Sequence, residues 1–393
     1  MNTNILNKEI QDFINANLKT DLTKLILKGC PFKEISIQEI AAQIVAKNKC
    51  QNKLPTWFRT ENIYYPNKLN IEQTSSEITA QYKSKLVFGN SLIDITGGFG
   101  VDAFYFSQKV KNITHCEINE ELSKIVSHNY QQLNAQNINT LVGDGIEFLK
   151  NYIEKIDWIY SDPSRRNDAK GKVFLLEDCL PNIPENLDLL FKKTDNILIK
   201  ISPILDITSA INELKFVKEI HVVAIENEVK ELLFLLEKNW NQSISIQTIN
   251  FNKTDNQVFK LDLGEQVSAT YSEPKKYIYE PNAAILKAGA FQQVSNHLKI
   301  AKLHQHSHLY TSENLIEFPG RCFEIKNCIS YDKKQLRKLI PSKKANITTR
   351  NFPENVEQIR KKTGLKDGGN QYVFFTTDKN NKHIVLICHK IQD

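Results

Sequence analysis

The sequence of 393 residues lacks three features: a long apolar run, the apolar core of a signal peptide and closely paired cysteines. No apolar run approaches the roughly 18 residues that a membrane-spanning helix needs, and the N-terminus lacks the apolar core of a signal peptide. The seven cysteines are odd in number and scattered, with no C-x-x-C pair. This argues against a disulfide framework or a zinc ribbon. We therefore expect a cytoplasmic protein with no membrane segment and no structural metal.

Positive charge is concentrated in the C-terminal part of the chain, although the net charge is only +6. Residues 275–393 carry 21 Lys and Arg against 10 Asp and Glu, a net charge of +11, whereas residues 1–274 carry −5. A basic module on a mildly acidic body indicates a polyanion such as RNA as partner. The alternative is that lysine is simply abundant throughout the chain.

The pattern of apolar residues divides the chain into four regions. We expect a helical region over 1–70, an α/β domain over 71–270, a small α+β (ferredoxin-like) linker domain over 271–320 and a basic module over 321–393. The α/β region alternates strands and helices, which predicts a doubly wound, mostly parallel sheet of seven strands. The predicted strands are 91–96, 112–118, 137–144, 156–162, 196–202, 219–226 and 258–263. Residues 231–238 are predicted to be a helix between the last two strands.

Glycine is also scarce, with 14 in the chain, yet three lie within four residues: Gly97, Gly98 and Gly100. They follow a predicted strand and precede a predicted helix, where a ligand approaches bare backbone. Residues 98–103 fit the dinucleotide fingerprint G-x-G-x-x-A. A tight strand-to-helix turn with no ligand is the competing interpretation.

Acidic residues end the first three predicted strands: Asp94, Glu117 and Asp144. These carboxylates should line one edge of the sheet, where they would repel a pyrophosphate. S-adenosylmethionine (SAM) has no phosphate and carries a sulfonium and an ammonium. Glu117 is placed to accept from both ribose hydroxyls, Asp144 from the adenine amino group, and Asp94 lies near the amino-acid end. The sequence therefore predicts SAM rather than NAD as the cofactor.

Several motifs resemble those of a known family. The series DITGGFGVDAF, CEIN, VGDG and DPSRR resembles Rossmann-type (class I) SAM-dependent methyltransferases, with Thr96 where the first loop glycine usually lies. EQTSSEITAQYKS, LIKISPILDI, EPNAAILKAG, FPGR and ANITTRNFPENVEQIRKKTGLKDGG are similar to bacterial methyltransferases with a C-terminal THUMP-like domain.

The resemblance implies a SAM-methyltransferase sheet over 71–270, a THUMP-like domain over 321–393 and structured RNA (tRNA or rRNA) as substrate. It also implies a set of cofactor-binding residues: Asp94, Thr96, Gly97, Gly98, Gly100, Glu117, Asp144 and Gly145.

The end of the fourth strand carries Asp162, Pro163 and Ser164, where such enzymes have the motif that faces the transferred methyl group. Asp162 can accept a hydrogen bond from a base amine, which predicts methylation of an RNA base. Ser164 and Arg165 replace the second proline and the aromatic residue usual in amine methylases. Arg165 and Arg166 can bind phosphate, or form a solvated surface turn.

Lys200 is an unusual residue near the end of an apolar strand. By strand position, Lys83, Asp162, Lys200 and Glu226 resemble the Lys-Asp-Lys-Glu set of ribose 2′-O methyltransferases, in which a lysine helps to deprotonate the hydroxyl. An ion pair of Lys200 with Asp162 or Glu226 is the interpretation we favour. A different class also stays open, a non-catalytic RNA-binding protein with a degenerate methyltransferase fold.

Two features of the C-terminal region are candidate sites. A predicted basic helix presents Lys333, Lys334, Arg337 and Lys338 as phosphate contacts, with a solvated face as the alternative. His304, His306 and His308 occupy every second position. In an extended strand they would lie on one face, where they could bind a metal ion. We expect a loop or edge strand there rather than a metal site, because no acidic or cysteine partner is nearby in the sequence.

Overall fold

The structure, a computed structural model, describes residues 1–165 and 175–391, except for the side chain of Arg165. Contact density divides the chain into two compact units. Unit 1 contains residues 1–218 and 233–241, and unit 2 contains residues 219–232 and 242–393. The finer four-part division expected from the sequence stays a prediction. None of the helices in the described ranges is long and apolar enough to cross a membrane.

Unit 1 begins with short helices that pack on one another and on the start of the α/β region. Ser36 caps the longest of them through a capping box with Glu39. Trp57 is fully buried and packs on Phe104, with ring centroids 5.0 Å apart. The helices are α1 (Lys8–Ala16), α2 (Leu22–Leu27), α3 (Ile37–Lys53), α4 (Pro55–Arg59), α5 (Lys68–Gln73) and α6 (Glu77–Ser84).

The core of unit 1 is a parallel sheet with helices between its strands. In chain order its elements are β1 (Gly89–Asp94), α7 (Val101–Phe106), β2 (Val110–Glu117), α8 (Glu120–Gln132), β3 (Ile138–Val142), α9 (Gly145–Asn151), β4 (Ile156–Ser161), α10 (Ile183–Lys193), β7 (Thr194–Ile201) and α11 (Ile207–Glu213). A short antiparallel pair, β5 (Ser164–Arg165) and β6 (Cys179–Leu180), lies between β4 and α10.

The order of these strands locates a crevice at one edge of the sheet. Five parallel strands lie in the order β3-β2-β1-β4-β7. The chain reverses its direction of travel across the sheet between β1 and β4, which is where open α/β sheets form a crevice at the carboxyl ends of their strands. Helices cover the sheet because its strands are apolar on both faces, as with Ile197, Leu198 and Ile199 of β7, which have no exposed surface.

One sequence prediction in this sheet is wrong. Residues 231–238, expected to be helical, belong to β9 (Glu228–Glu237), which lies between β7 and β8 (Val217–Ile225) in the strand order. Glu226 and Asn227 join β8 to β9 in a tight turn with φ angles of 47° and 65°. A continuous apolar run suits a strand buried on both faces as well as a buried helix, so periodicity cannot separate the two.

Unit 2 adds strands to this arrangement and contains a second sheet. β10 (Ser245–Phe251) runs parallel to β8 and antiparallel to β11 (Asn256–Asp262). The first sheet therefore has nine strands where seven were expected, while the doubly wound, mostly parallel α/β class is confirmed.

The second sheet has seven strands in the order β13-β14-β12-β15-β18-β17-β16. Buried apolar side chains such as Phe323, Phe374 and Phe375 form its cores. Its elements are β12 (Tyr277–Pro281), α12 (Ala283–Ala288), α13 (Phe291–His297), β13 (Ala301–Lys302), β14 (Tyr310–Ser312), β15 (Gly320–Ser330), α14 (Lys333–Leu339), β16 (Asn346–Arg350), α15 (Val356–Thr363), β17 (Gln371–Thr377) and β18 (His383–Lys390).

Candidate functional site

A cavity of about 620 Å³ lies at the carboxyl ends of the strands of unit 1. Residues that follow β1, β2, β3 and β4 line it, together with Lys200 of β7. The cavity brings together most of the residues that the sequence predicted for cofactor binding and catalysis. Those lining it are Asp94, Thr96, Gly97, Gly98, Glu117, Asp144, Gly145, Asp162, Ser164 and Lys200.

The glycine loop forms one wall of this cavity, and the packing around it leaves no room for side chains at two of its glycines. A Cβ atom on Gly97 would overlap the buried ring of His115, and one on Gly100 would overlap Tyr130. Burial lowers the pKa of His115 to about 4, so this ring is uncharged near neutral pH. Gly100 has a φ of 78° and immediately precedes α7, so it shapes the turn, and it does not itself line the cavity.

Glu117 and Asp144 are held by backbone N–H groups at the ends of their strands. The N–H of Gly98 donates to Glu117 Oε2 at 2.8 Å, and the N–H of Asn119 donates to Oε1 at 2.7 Å. Asp144 caps α9, where its Oδ1 accepts from the N–H of Ile146 at 2.7 Å. A carboxylate has about four lone-pair positions, so both side chains can accept further hydrogen bonds from a ligand.

Asp94 lies at the bottom of the site with 1% of its surface exposed. Burial raises the pKa of Asp94 well above its usual value, and the charges of Asp102 and Asp162 raise it further. The N–H of Thr96 donates to its Oδ1 at 3.0 Å. Asp94 therefore retains a proton more readily than an exposed aspartate.

Thr96 and Lys200 both hold Asp162, the predicted catalytic carboxylate. The N–H of Asp162 donates to Thr96 Oγ1 at 2.7 Å, so the threonine in place of the first loop glycine links the loop to the end of β4. Lys200 Nζ donates to Asp162 Oδ2 at 2.5 Å. The ion pair favoured from the sequence is therefore present. Pro163 is buried and Ser164 is exposed.

Two residues of the ribose-methylase pattern, Lys83 and Glu226, form ion pairs with residues outside the pattern. Lys83 pairs with Asp102 at 3.1 Å because α6, which carries it, packs on α7. Glu226 lies in the tight turn after β8, is 58% exposed and pairs with Lys253 at 3.5 Å. The other two residues of the pattern, Lys200 and Asp162, are in direct contact.

A polar network in the wall of the cavity was missed by sequence reasoning. Asp102 Oδ2 accepts from Tyr160 Oη at 2.7 Å and from Ser75 Oγ at 2.9 Å. Burial alone would raise the pKa of Asp102, but Lys83, Lys200 and these hydroxyls lower it overall. The available signals were Asp102 directly after the glycine loop and a lysine on the apolar face of α6.

We expect Lys83→Met to lower the free energy of unfolding by roughly 3–5 kcal/mol, because it leaves the buried Asp102 carboxylate without its cation. Urea denaturation at neutral pH measures the change. Lys124→Met is the control, since Lys124 and Glu120 are both about two-thirds exposed and such pairs contribute less than ~1 kcal/mol.

The effect of Lys83→Met should depend on pH. Because folding lowers the pKa of Asp102, its ionised carboxylate stabilises the folded protein at pH values above its unfolded pKa, which is near 3.8. This stabilisation is lost as the pH falls through the pKa of the folded protein. Wild type and variant should therefore converge in acid. Equal stability of the two proteins at neutral pH would contradict the ion pair.

The remaining predicted residues lie outside this cavity. Lys333, Lys334, Arg337 and Lys338 are all exposed on α14. The side chain of Arg165 and the whole of Arg166 lie outside the described residues. His304 contacts Asn381 at 3.0 Å, and within 1–165 and 175–391 no group of three or more His, Cys, Asp or Glu could hold a metal ion.

Comparison with known proteins gives two family-model matches, both in the C-terminal part of the chain, and several structural similarities. A THUMP domain-like family model matches residues 320–390, and a ferredoxin-like domain model matches residues 277–319.

An rRNA methylase from Streptococcus thermophilus is 17% identical, with 42% of this chain and 98% of that chain covered and a TM-score of 0.30. M. capricolum TrmK in complex with S-adenosyl-homocysteine is 19% identical, with 45% and 70% covered and a TM-score of 0.31. These two similarities are too low to bear on function. No curated protein matches the chain significantly.

The similarity to one solved structure extends over the whole chain. A proposed methyltransferase from Porphyromonas gingivalis W83 is 32% identical, with 99% of each chain covered and a TM-score of 0.88. The chain thus belongs to the Rossmann-type methyltransferase family that has a C-terminal THUMP-like domain.

Proposed function

We propose that this protein binds SAM in the cavity of unit 1 and methylates a base of structured RNA, such as tRNA or rRNA. The observation that carries the proposal is the charge of the cavity wall. Among the residues that the structure describes, five acidic side chains line it and Lys200 is the one lysine: Asp94, Asp102, Glu117, Asp144 and Asp162. Such a wall favours a cationic ligand that has no phosphate and disfavours a dinucleotide.

The residues around the glycine loop fit the parts of SAM. Glu117, fixed by the N–H groups of Gly98 and Asn119, would accept hydrogen bonds from the ribose hydroxyls. Asp144 would accept from the adenine amino group, and Asp94 would lie near the amino-acid end. SAM, when bound, supplies an electrophilic methyl group on its sulfonium. The protein's own contribution is to hold the acceptor in line with that group.

Asp162 is the residue proposed to orient the acceptor. Its Oδ2 is engaged by Lys200 and its N–H by Thr96, so the carboxylate has a set position. Its Oδ1 can then accept a hydrogen bond from the amino group of a base, directing the nitrogen lone pair away from the carboxylate.

Ribose 2′-O methylation is the second candidate, favoured by the direct contact between Lys200 and Asp162. In that reaction an uncharged lysine would accept the proton of the hydroxyl. The ion pair instead stabilises the charged ammonium, which cannot accept a proton, so we place base methylation first. A non-catalytic RNA-binding protein is the third alternative, and it predicts weak or absent SAM binding.

We expect Glu117→Ala to weaken SAM binding by roughly 1–3 kcal/mol, because two ribose hydroxyls lose their charged acceptor. Isothermal calorimetry on the full chain measures the change. Glu120→Ala is a matched control, since Glu120 is exposed and pairs with Lys124. It should leave the affinity within two-fold of wild type.

Glu117→Gln separates ligand contact from loop support. The amide oxygen can still accept one backbone N–H, so this variant should fold as wild type does and yet bind SAM less tightly. Unchanged SAM affinity in both Glu117 variants would remove Glu117 from the site. Absence of SAM binding by the wild-type protein would favour the non-catalytic alternative.

A further inference from the structure

Unit 2 contains a second cavity, of about 590 Å³, that the methyl-transfer site does not use. We call it the Lys302 cavity. It lies within the region between β11 and β14, and polar and aromatic side chains form most of its wall. They include Gln266, Phe291, Gln293, Lys302, His306 and His308.

Lys302 is the distinctive residue of this cavity, because only 2% of its surface is exposed. Its Nζ donates to the carbonyl oxygen of Gln305 at 2.9 Å and lies 5.7 Å from the centre of the Phe291 ring. Within the described ranges it forms no ion pair with a carboxylate, and burial lowers its pKa to about 8. A buried ammonium without an anion is costly, and a bound anion would remove that cost.

The one carboxylate in the cavity wall does not supply that anion. Glu265 lines the cavity, but its Oε1 lies 2.9 Å from His297 Nε2. Arg350, a cation whose charge acts on His308, does have an acidic partner. One of its guanidinium nitrogens lies 2.9 Å from a carboxylate oxygen of Glu280. Lys302 is thus the cation of this cavity that has no acidic partner among the residues described.

His308 provides a second, independent observation. Its ring stacks on Phe291 with centroids 3.6 Å apart and planes inclined by 20°, and its Nδ1 is buried without a hydrogen-bond partner. Its backbone has a φ of 51°, which is uncommon for a residue other than glycine. Burial, with Lys302, Arg350 and His306 as further causes, lowers the pKa of His308 to about 4. The ring is therefore uncharged and available for stacking.

We propose that the Lys302 cavity binds a phosphate group attached to a planar ring, the chemistry of a nucleotide. Lys302 would hold the phosphate, and the stacked His308 and Phe291 would carry the ring. The glutamine amides can both donate to and accept from the edge of a base. The nucleotide can be a free mononucleotide or a nucleotide of RNA, and the chemistry recognised is the same.

The test uses the full chain with adenosine 5′-monophosphate, uridine 5′-monophosphate and inorganic phosphate, and with the two nucleosides as uncharged probes. We expect calorimetry to show binding of at least one nucleotide, with its nucleoside binding at least ten-fold more weakly. Lys302→Met should weaken the nucleotide at least ten-fold. Lys299→Met, which changes an exposed lysine, should leave it within two-fold.

His308→Leu is the second variant, and it should weaken the nucleotide without weakening inorganic phosphate. Displacement of a bound nucleotide by tRNA would assign the site to RNA, and no displacement would assign it to a free nucleotide. No binding of any phosphate-containing probe at 10 mM, or equal affinity in Lys302→Met, would overturn the proposal. SAM binding, measured on the same samples, reports on the methyl-transfer proposal separately.

Discussion

Asp162→Ala should reduce methyl transfer to RNA at least ~100-fold while leaving SAM affinity within a few-fold of wild type. Under the proposed function the acceptor would lose the carboxylate that orients it, whereas the adenosine of SAM would still be held by the glycine loop and by Glu117 and Asp144. Transfer is measured with labelled SAM and with tRNA and rRNA from a strain lacking the gene. Asp188→Ala, at an exposed carboxylate paired with Lys215, is the control and should retain full activity.

Lys200→Met distinguishes the two acceptor chemistries. A ribose methylase should lose both its activity and the pH dependence that a titrating lysine gives to the rate, while a base methylase should keep the shape of its pH profile. Mass spectrometry of the modified nucleosides identifies the acceptor atom. Near-normal turnover of Asp162→Ala would show that the residue at the end of β4 does not orient the acceptor.

Reversing the charge of Lys333, Lys334 and Lys338 to Glu should weaken RNA binding roughly 10- to 100-fold at low salt. These exposed lysines lie on α14, and each phosphate contact contributes about 0.7–0.9 to the slope of log affinity against log salt. The slope should therefore become shallower by about two to three. Arg337 is left unchanged because its Nε donates to the carbonyl oxygen of Thr363 at 3.2 Å.

The control for this variant reverses Lys8, Lys24 and Lys28, three exposed lysines of unit 1, and so changes the net charge equally. Filter binding with total tRNA at several salt concentrations compares the two variants. An equal loss in both would mean that only the overall charge matters and that α14 is a solvated face. Deleting the C-terminal residues is a poorer test, because unit 2 begins at Glu219 and such a truncation would divide it.

The glycine loop and its acidic neighbours were predictable because their positions depend on local sequence. Gly97 and Gly98 follow the apolar strand β1. Glu117 is the last residue of β2, and Asp144 follows β3. Parallel strands connected by helices have their carboxyl ends at one edge of the sheet, so residues distant in sequence meet there. The cavity contains this set as expected.

The β9 strand shows where local pattern fails. Leu232, Leu233 and Phe234 have no exposed surface, and an apolar run of this kind carries no period that distinguishes strand from helix. The backbone hydrogen bonds of neighbouring strands decide the matter, and they depend on how the whole sheet is assembled. The presence of β10 follows from the same pairing with β8.

The sequence by itself determined the α/β class, the edge of the sheet where the cavity lies and the types of residue that line it. Tertiary structure decided which of the possible charge pairs form. Lys83 pairs with Asp102, Lys200 pairs with Asp162, and Lys302 is buried without an ion pair to a described carboxylate. The physical reason is that strand ends follow from local periodicity, whereas ion pairs depend on the packing of helices and strands that are far apart in the chain.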